Sequence, residues 1–303
     1  MVAMPALHLG SPVQAGPLTI FPVWTDAPLD TRSYRTKLPK SGGVAELQDG
    51  PSVPELKVTN PGNVPVLLIE GALLEGGWQH RVIAHSVLIG AHDDVTVEVR
   101  CVEQRRWGGD RDQRMGTRRA PLAVRGALRD IRTGVPRRAE HLHVSDQGDV
   151  WARVGHYERA FAPSGTSSLV EVQGGLDDQI RDIVHAVKPL PAQRGVLIGV
   201  AGHPAILEVF DHPQTLIDQW EAILSSVAVD ALLTPAEPTP GYRAREFVRR
   251  VMATSVEEAG PAGTATAFAG TDGNLISARG ISIEDRLIHA AVVNTRHQLV
   301  LAA

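Results

Sequence analysis

Two short polar runs between residues 70 and 107 hold residue types suited to acid–base or phosphate chemistry. The first contains Glu70, Glu75, Gln79 and Arg81, and the second contains Glu103, Gln104, Arg105 and Trp107. Glu70 and Glu103 are a pair of carboxylates that would share catalytic acid–base work if a neighbour raised the pKa of one of them. Gln79, Arg81, Gln104, Arg105 and Trp107 form the candidate ligand-binding set. A guanidinium offers a planar fork to a phosphate, and an indole stacks on a base. The same residues also read as a structural network, in which arginines and carboxylates satisfy each other and the turn backbones. Glu70 ends an apolar run, and a charged group there is rarely buried unless it is paired.

The elements that must position these residues follow from hydrophobic spacing. Residues 18–23 read as an opening strand, and residues 26–39 as a short helix ended by Pro39. Leu56 and Val58 alternate with Lys57 and Thr59, the period of a half-buried strand. The turn Asn60-Pro61-Gly62-Asn63 then leads into the apolar run 64–69, so the two strands are expected to form a hairpin. Segments 81–89 and 95–102 are further strands, with Val95, Val97 and Val99 on one face. If 64–70, 79–89 and 95–104 share a sheet, the polar runs at their ends converge.

Residues 105–138 carry eleven arginines and few large apolar groups until Leu122, and read as a loop followed by a short irregular helix. Beyond Asp146, helical patterns dominate: one over about 147–160, one carrying Leu176, Ile180, Ile183, Val184 and Val187, and one starting at Pro213. The last has Asp211 as its expected cap and an apolar stripe of Leu216, Trp220, Ile223, Leu224 and Val227. Residues 243–252 read as a further helix. Hairpins are expected at 196–210 and 264–278, with a final strand over 287–293. Strands cluster early and helices late, without steady βαβ alternation. The fold class is therefore α+β, an N-terminal antiparallel β lobe packed against a C-terminal lobe of hairpins and helices. The expected divisions are 17–104 for the β lobe, 105–145 for the Arg-rich connector and 146–303 for the second lobe.

Several chemistries are disfavoured. The 303 residues are 43% apolar with a formal net charge of −4, which argues against a surface built throughout for nucleic acid. Eleven arginines would neutralise phosphates in a salt-dependent way, but Asp110, Asp112 and Asp130 interrupt them, and a solvated connector or subunit contact is the stronger reading. A single cysteine, Cys101, excludes an intrachain disulfide and a Cys-rich zinc site. Buried free cysteines behave as small hydrophobes. With no long apolar run and no basic, apolar leader at the N-terminus, the expected location is the cytoplasm, without membrane contact. His141-Leu142-His143 lacks a third ligand, so no metal is expected. No phosphate loop, dinucleotide fingerprint or nucleophile elbow occurs, and no cofactor is expected.

Read together, Pro65 to Gly71, Gln79-His80-Arg81-Val82, Ser86 to Leu88 and above all Cys101-Val-Glu-Gln-Arg-Arg-Trp107 resemble the bacterial ARPP family. That family is named for its association with ADP-ribosylglycohydrolases and rhodanese-phosphatase proteins. The Val150-Trp151 helix start, the 195–210 hairpin and the 213–232 helix are similar to its second half. The resemblance implies a link to ADP-ribose and NAD metabolism, and hence binding or processing of an ADP-ribose-like or other phosphorylated nucleotide. The alternative class is a non-catalytic scaffold or interaction module, self-assembling as a homo-oligomer or binding a protein partner. Convergence of Arg81, Glu70, Glu103 and Trp107 in one pocket would favour the first.

Overall fold

The computed structural model describes residues 4–48, 50, 52–129 and 147–301. The chain opens with β1 (Leu7–Leu9), β2 (Val13–Ala15) and β3 (Leu18–Thr25). It continues through β4 (Gly43–Ala45), β5 (Glu55–Asn60), β6 (Val66–Leu68), β7 (Ala72–Gly76), β8 (Arg81–Ile83), β9 (Val87–Ile89), β10 (Asp93–Cys101) and β11 (Asp112–Arg119). Helices α1 (Leu122–Leu128), α2 (Gln147–Ala160), α3 (Leu169–Gly174) and α4 (Asp177–His185) follow, then the hairpin of β12 (Gly195–Val200) and β13 (His203–Phe210). Helices α5 (Pro213–Ala231) and α6 (Gly241–Ala253) precede β14 (Val256–Ala262), β15 (Ala265–Thr271), β16 (Ile276–Ile283) and β17 (Arg286–Asn294), and α7 (Gln298–Leu301) comes last. The class is α+β.

Two sheets organise these elements. A nine-stranded sheet runs β1-β3-β12-β13-β17-β16-β15-β14, with β2 also on β3, and a closed barrel runs β10-β5-β4-β11-β7-β8. The small pair β6-β9 stands apart from both. Every strand-to-strand pairing in the sheets is antiparallel among the described residues. The large sheet is covered on both faces. Phe21, Leu197, Leu207 and Val209 pack with Phe247, Val248 and Val251 of α6. Ile20, Ile198 and Ile206 join Leu216, Trp220 and Leu224 of α5 in the other core. Burial on both faces explains why β12 and β13 read as continuous apolar runs instead of alternating ones.

The structure departs from the sequence reading in several places. The opening strand β3 pairs with β12, Leu18 opposite Val200 and Val23 opposite Gly195, and not with any strand of the barrel. The expected hairpin of 55–59 with 64–69 does not form: β5 pairs with β4 and β10, and β6 with β9. Its turn reverses the chain, but Asn60 Nδ2 donates to Val64 O and Gly90 O, tying the turn to the β9–β10 corner. No helix occurs over residues 26–39; Arg35 instead bridges to Val66. Asp211 does not cap α5. His212 is the cap, its Nδ1 accepting from Gln214 N–H at 3.1 Å, while Asp211 accepts from the Tyr34 hydroxyl. Asp146, His141, His143 and the arginines 132, 137 and 138 lie outside the described residues. No helix is long and apolar enough to cross a membrane among the described residues.

Candidate functional site

The barrel supplies the site's frame. Residues directly opposite on paired strands share a face. Val97 lies opposite Leu56, Val99 opposite Ile83, and Val44 opposite Val58. These six are buried and fill the lumen with aliphatic side chains. Toward one end the same alternation places different chemistry inside: Cys101 and Leu74 lie opposite Arg81, and Gln113 lies opposite Val44 and Gly76. Arg81 is fully buried, and Glu46, Gln79 and Gln113 are nearly so. Its Nη1 donates to Gln79 Oε1 at 3.1 Å, and its Nη2 faces Glu46 Oε1 at 3.5 Å. Gln113 Nε2 donates to the Gln79 carbonyl at 3.0 Å. Burial, first of all, holds the Cys101 thiol above its ordinary pKa, so beside Arg81 it stays protonated.

Two indoles roof this polar end. Trp107 meets Trp78 edge-on, with centroids 5.7 Å apart and planes at 84°. The Arg81 guanidinium carbon lies 5.9 Å from the Trp107 ring centre, within cation–π range. Trp107 is 51% exposed, so about half of its surface is accessible from solvent. Beside it runs a cleft of about 830 Å³ lined by Gly76, Gly77, Arg106, Gly109, Asp110, Arg111, Asp112 and Arg114, within the roughly 300–1,000 Å³ of small-molecule sites. Gly77 is the wall between cleft and polar end. It sits at φ +56°, and a Cβ there would lie 2.0 Å from Gln113 Nε2. Only glycine lets the strand end and the Gln113 amide approach so closely.

Glu103 acts as a bracket at the cleft's back wall. Its carboxylate accepts from Arg106 Nε at 2.8 Å and Nη2 at 2.6 Å, from the Thr166 hydroxyl at 2.7 Å and from His80 N–H at 2.9 Å. Arg106 in turn donates to the carbonyls of Gly76, Gly77 and Gly108. Burial pushes the Glu103 carboxyl up, but the hydrogen bonds from Arg106, Thr166 and His80 outweigh it and hold the pKa below the usual range. Gln104 and Arg105 are exposed, with their backbone N–H groups donating to Ser167 O and Thr166 O.

With this geometry in place, the family comparison is decisive. A model of the ARPP-1 family, the ARG and Rhodanese-Phosphatase-superfamily-associated Protein domain, matches residues 6–293. The chain belongs to this family. No curated protein and no solved structure matches it.

In this ARPP-1 member, Glu70 belongs to a different network from Glu103. It follows β6 in the seam between barrel and large sheet. Arg129 donates to it through Nε at 2.9 Å and Nη2 at 3.0 Å, and Arg125 Nε lies 3.4 Å away. Burial raises its carboxyl, and the charges of Arg129, Arg125 and Arg279 overcome that, bringing it down to about 2. Arg119 links the Glu70 carbonyl, 2.7 Å from its Nη2, to Glu208, 3.0 Å from its Nη1. Glu208 also accepts from His289 Nε2 at 2.7 Å, and His289 Nδ1 lies 3.0 Å from Ser86 Oγ. The carboxylate only accepts, so Nε2 carries the imidazole proton and Ser86 donates to Nδ1. Ser86, His289 and Glu208 thus have the connectivity of a hydrolytic triad. Ser86 is 6% exposed and the other two 0%, which leaves no face for a substrate, and Ser86 already accepts from Glu70 N–H.

Of the residues expected to converge, the structure brings Gln79, Arg81 and Trp107 to one place, with Glu103 behind them and Gln104 and Arg105 on the adjacent surface, but it puts Glu70 in the separate network with Arg125 and Arg129. Glu46 and Gln113 were missed, as were Ser86, Glu208 and His289. Each is an isolated polar residue in an unremarkable segment, and only strand pairing joins them. Among the described residues no group of three or more His, Cys, Asp or Glu is placed to hold a metal.

Proposed function

We propose that this ARPP-1 protein binds a phosphorylated nucleotide, of which an ADP-ribose-like molecule is one form, at the barrel mouth. The observation that carries the reading is Trp107, half exposed and braced by Trp78 and Arg81 at the edge of an arginine-lined cleft. A base stacks on the accessible part of the indole, and the exposed Arg105, Arg111 and Arg114 reach its phosphates. The cleft's three arginines, Arg106, Arg111 and Arg114, stand against Asp110 and Asp112. That balance suits a mono- or diphosphate better than a nucleic-acid strand.

The reading is one of binding more than of turnover. Glu103 and Glu70 are both saturated with donors and held ionised, which leaves neither with a proton to give near neutral pH. The test is thermal unfolding of the purified protein with AMP, ADP-ribose and NAD. A ligand at about 100 times its dissociation constant adds roughly 2.7 kcal/mol to the folded state. A shift with one of them that disappears in Trp107→Ala supports the site. Absence of any shift favours an interaction module whose partner is another protein.

A further inference from the structure

A second cavity opens at one end of the large sheet, where β13 finishes, β16 turns into β17 and the chain leaves β3. Its volume is about 350 Å³, and it shares no lining residue with the cleft beside Trp107. Pro5, Pro28, Phe210 and Leu287 give it apolar lining. Arg194, 4% exposed, fixes one wall. Its Nη1 donates to Pro28 O at 3.1 Å and Asp211 O at 2.9 Å, and its Nη2 to Thr25 O at 3.0 Å and to Ala27 O. Those bonds wrap the 25–28 segment around the guanidinium, so the wall is formed before any ligand arrives.

The charged groups at this cavity are unevenly matched. The Asp211 side chain is 8% exposed; its Oδ1 accepts from the Tyr34 hydroxyl, and its Oδ2 lies 3.8 Å from Arg286 Nη1, too far for a hydrogen bond. The same Nη1 lies 3.4 Å from Asp30 Oδ2. One guanidinium, itself 33% exposed, therefore stands loosely between two carboxylates. Burial holds the Asp211 carboxyl above its ordinary pKa against the pull of Tyr34, Arg286 and His212, so this corner is short of positive charge. An anion would meet both carboxylates, while Arg194 has spent both Nη groups on backbone carbonyls.

The geometry points to a site for a small organic cation, a primary ammonium or amidinium on a compact apolar body. The head donates to Asp211 Oδ2 and to Asp30, in the place Arg286 fills at long range, and the body lies against Phe210 and Leu287. Arg286 swings into solvent at small cost, since a half-exposed ion pair contributes little. An apolar enclosure with a few placed polar groups, at the lower end of the usual volume range, is the ordinary form of a small-molecule site.

The experiment is calorimetric titration of the full chain with benzamidine and benzylamine, set against the neutral benzamide and benzyl alcohol and the anion benzoate. The cations bind about 10-fold or more tighter than the neutral compounds, the worth of a hydrogen bond to a charged group. Asp211→Asn keeps an acceptor for Tyr34 and removes the charge, so benzamidine binding weakens by about 10-fold or more. Arg286→Gln removes the competing internal cation, so it tightens by roughly 2- to 5-fold. Thermal unfolding without ligand verifies that each variant is folded; if Asp211→Asn is not, the exposed Asp30→Asn replaces it, with a loss of roughly 3-fold expected. No binding of either cation at millimolar concentration overturns the proposal. Equal affinity for cations and neutral compounds overturns it too, leaving an apolar cavity without charge selection. So does unchanged binding in the folded aspartate variant, or weaker binding in Arg286→Gln.

Discussion

Trp107 and Glu103 neighbour each other in sequence and do opposite work. The half-exposed Trp107 closes no core, so Trp107→Ala should change unfolding free energy by less than about 1 kcal/mol while abolishing the nucleotide-induced shift. Paired thermal melts with and without AMP check both halves of that expectation. Glu103 collects four hydrogen bonds and fixes the 76–80 turn to the 103–108 segment. Glu103→Ala leaves the Thr166 hydroxyl and the His80 N–H without their acceptor and strips Arg106 of its carboxylate partner, leaving it only the Gly76, Gly77 and Gly108 carbonyls, and should cost about 1–3 kcal/mol, discounted for the partial exposure of Arg106. Urea denaturation measures it. Gln79, Arg81 and Trp107 were legible because a turn and a β corner bring nearby sequence together. Glu46 and Gln113 were not, because a barrel closes between strands far apart in the chain, and closure leaves no local mark.

At the scale of elements, the strand that sequence reasoning missed is the informative one. β11 lies in the Arg-rich stretch, and its buried positions include Gln113 and Arg119 in place of aliphatic residues. A strand whose inward side chains are polar shows no hydrophobic alternation, so its period was invisible. The helices were easier, since α2, α5 and α6 turn ordinary apolar stripes inward. What their patterns could not show is how α1 begins. Its N-cap residue, Pro121, supplies no side-chain cap; instead Asp230 of α5 accepts from Leu122 N–H at 2.5 Å and from the Tyr157 hydroxyl. Burial lifts the Asp230 carboxyl from 3.8 to about 7. Because the folded value lies above the unfolded one, the folded state binds the extra proton between these pH values. Stability from this group is therefore lost as pH rises from about 4 to about 7, and is level above that. His297, lowered from 6.5 to about 4 by burial, works in the opposite direction over part of the same range. Asp230→Asn should accordingly remove the downward component only. The difference between the stability-versus-pH curves of the variant and the unmodified protein, from pH 5 to 8, isolates it.

For the whole molecule, the network around Glu70 is the clamp. Glu70 comes from the barrel side, Arg125 from α1 and Arg129 from its C-terminal end, and Glu208 and His289 from the large sheet. Glu70→Gln leaves buried guanidinium charge uncompensated and should destabilise by roughly 3–5 kcal/mol, seen as an earlier urea midpoint. In the unmodified protein the folded pKa of about 2 lies below the ordinary 4.5. This stabilisation is present above 4.5 and fades as pH falls toward 2, and the variant should lack that acid-dependent part. The overall class was legible from the clustering of strands and helices. The seam was not, since its charged members come from five separate segments. The pairing of β3 with β12 bears on how the chain is made. Val23 meets Gly195 only after roughly 170 further residues have been translated, about ten to thirty seconds at ordinary elongation rates. Throughout that interval an apolar ribbon waits with an unfilled edge, while the barrel strands behind it are made in full by residue 119 and can close first. Nascent protein should therefore recruit holding chaperones at residues 18–25, and release them only once the 195–200 segment clears the exit tunnel.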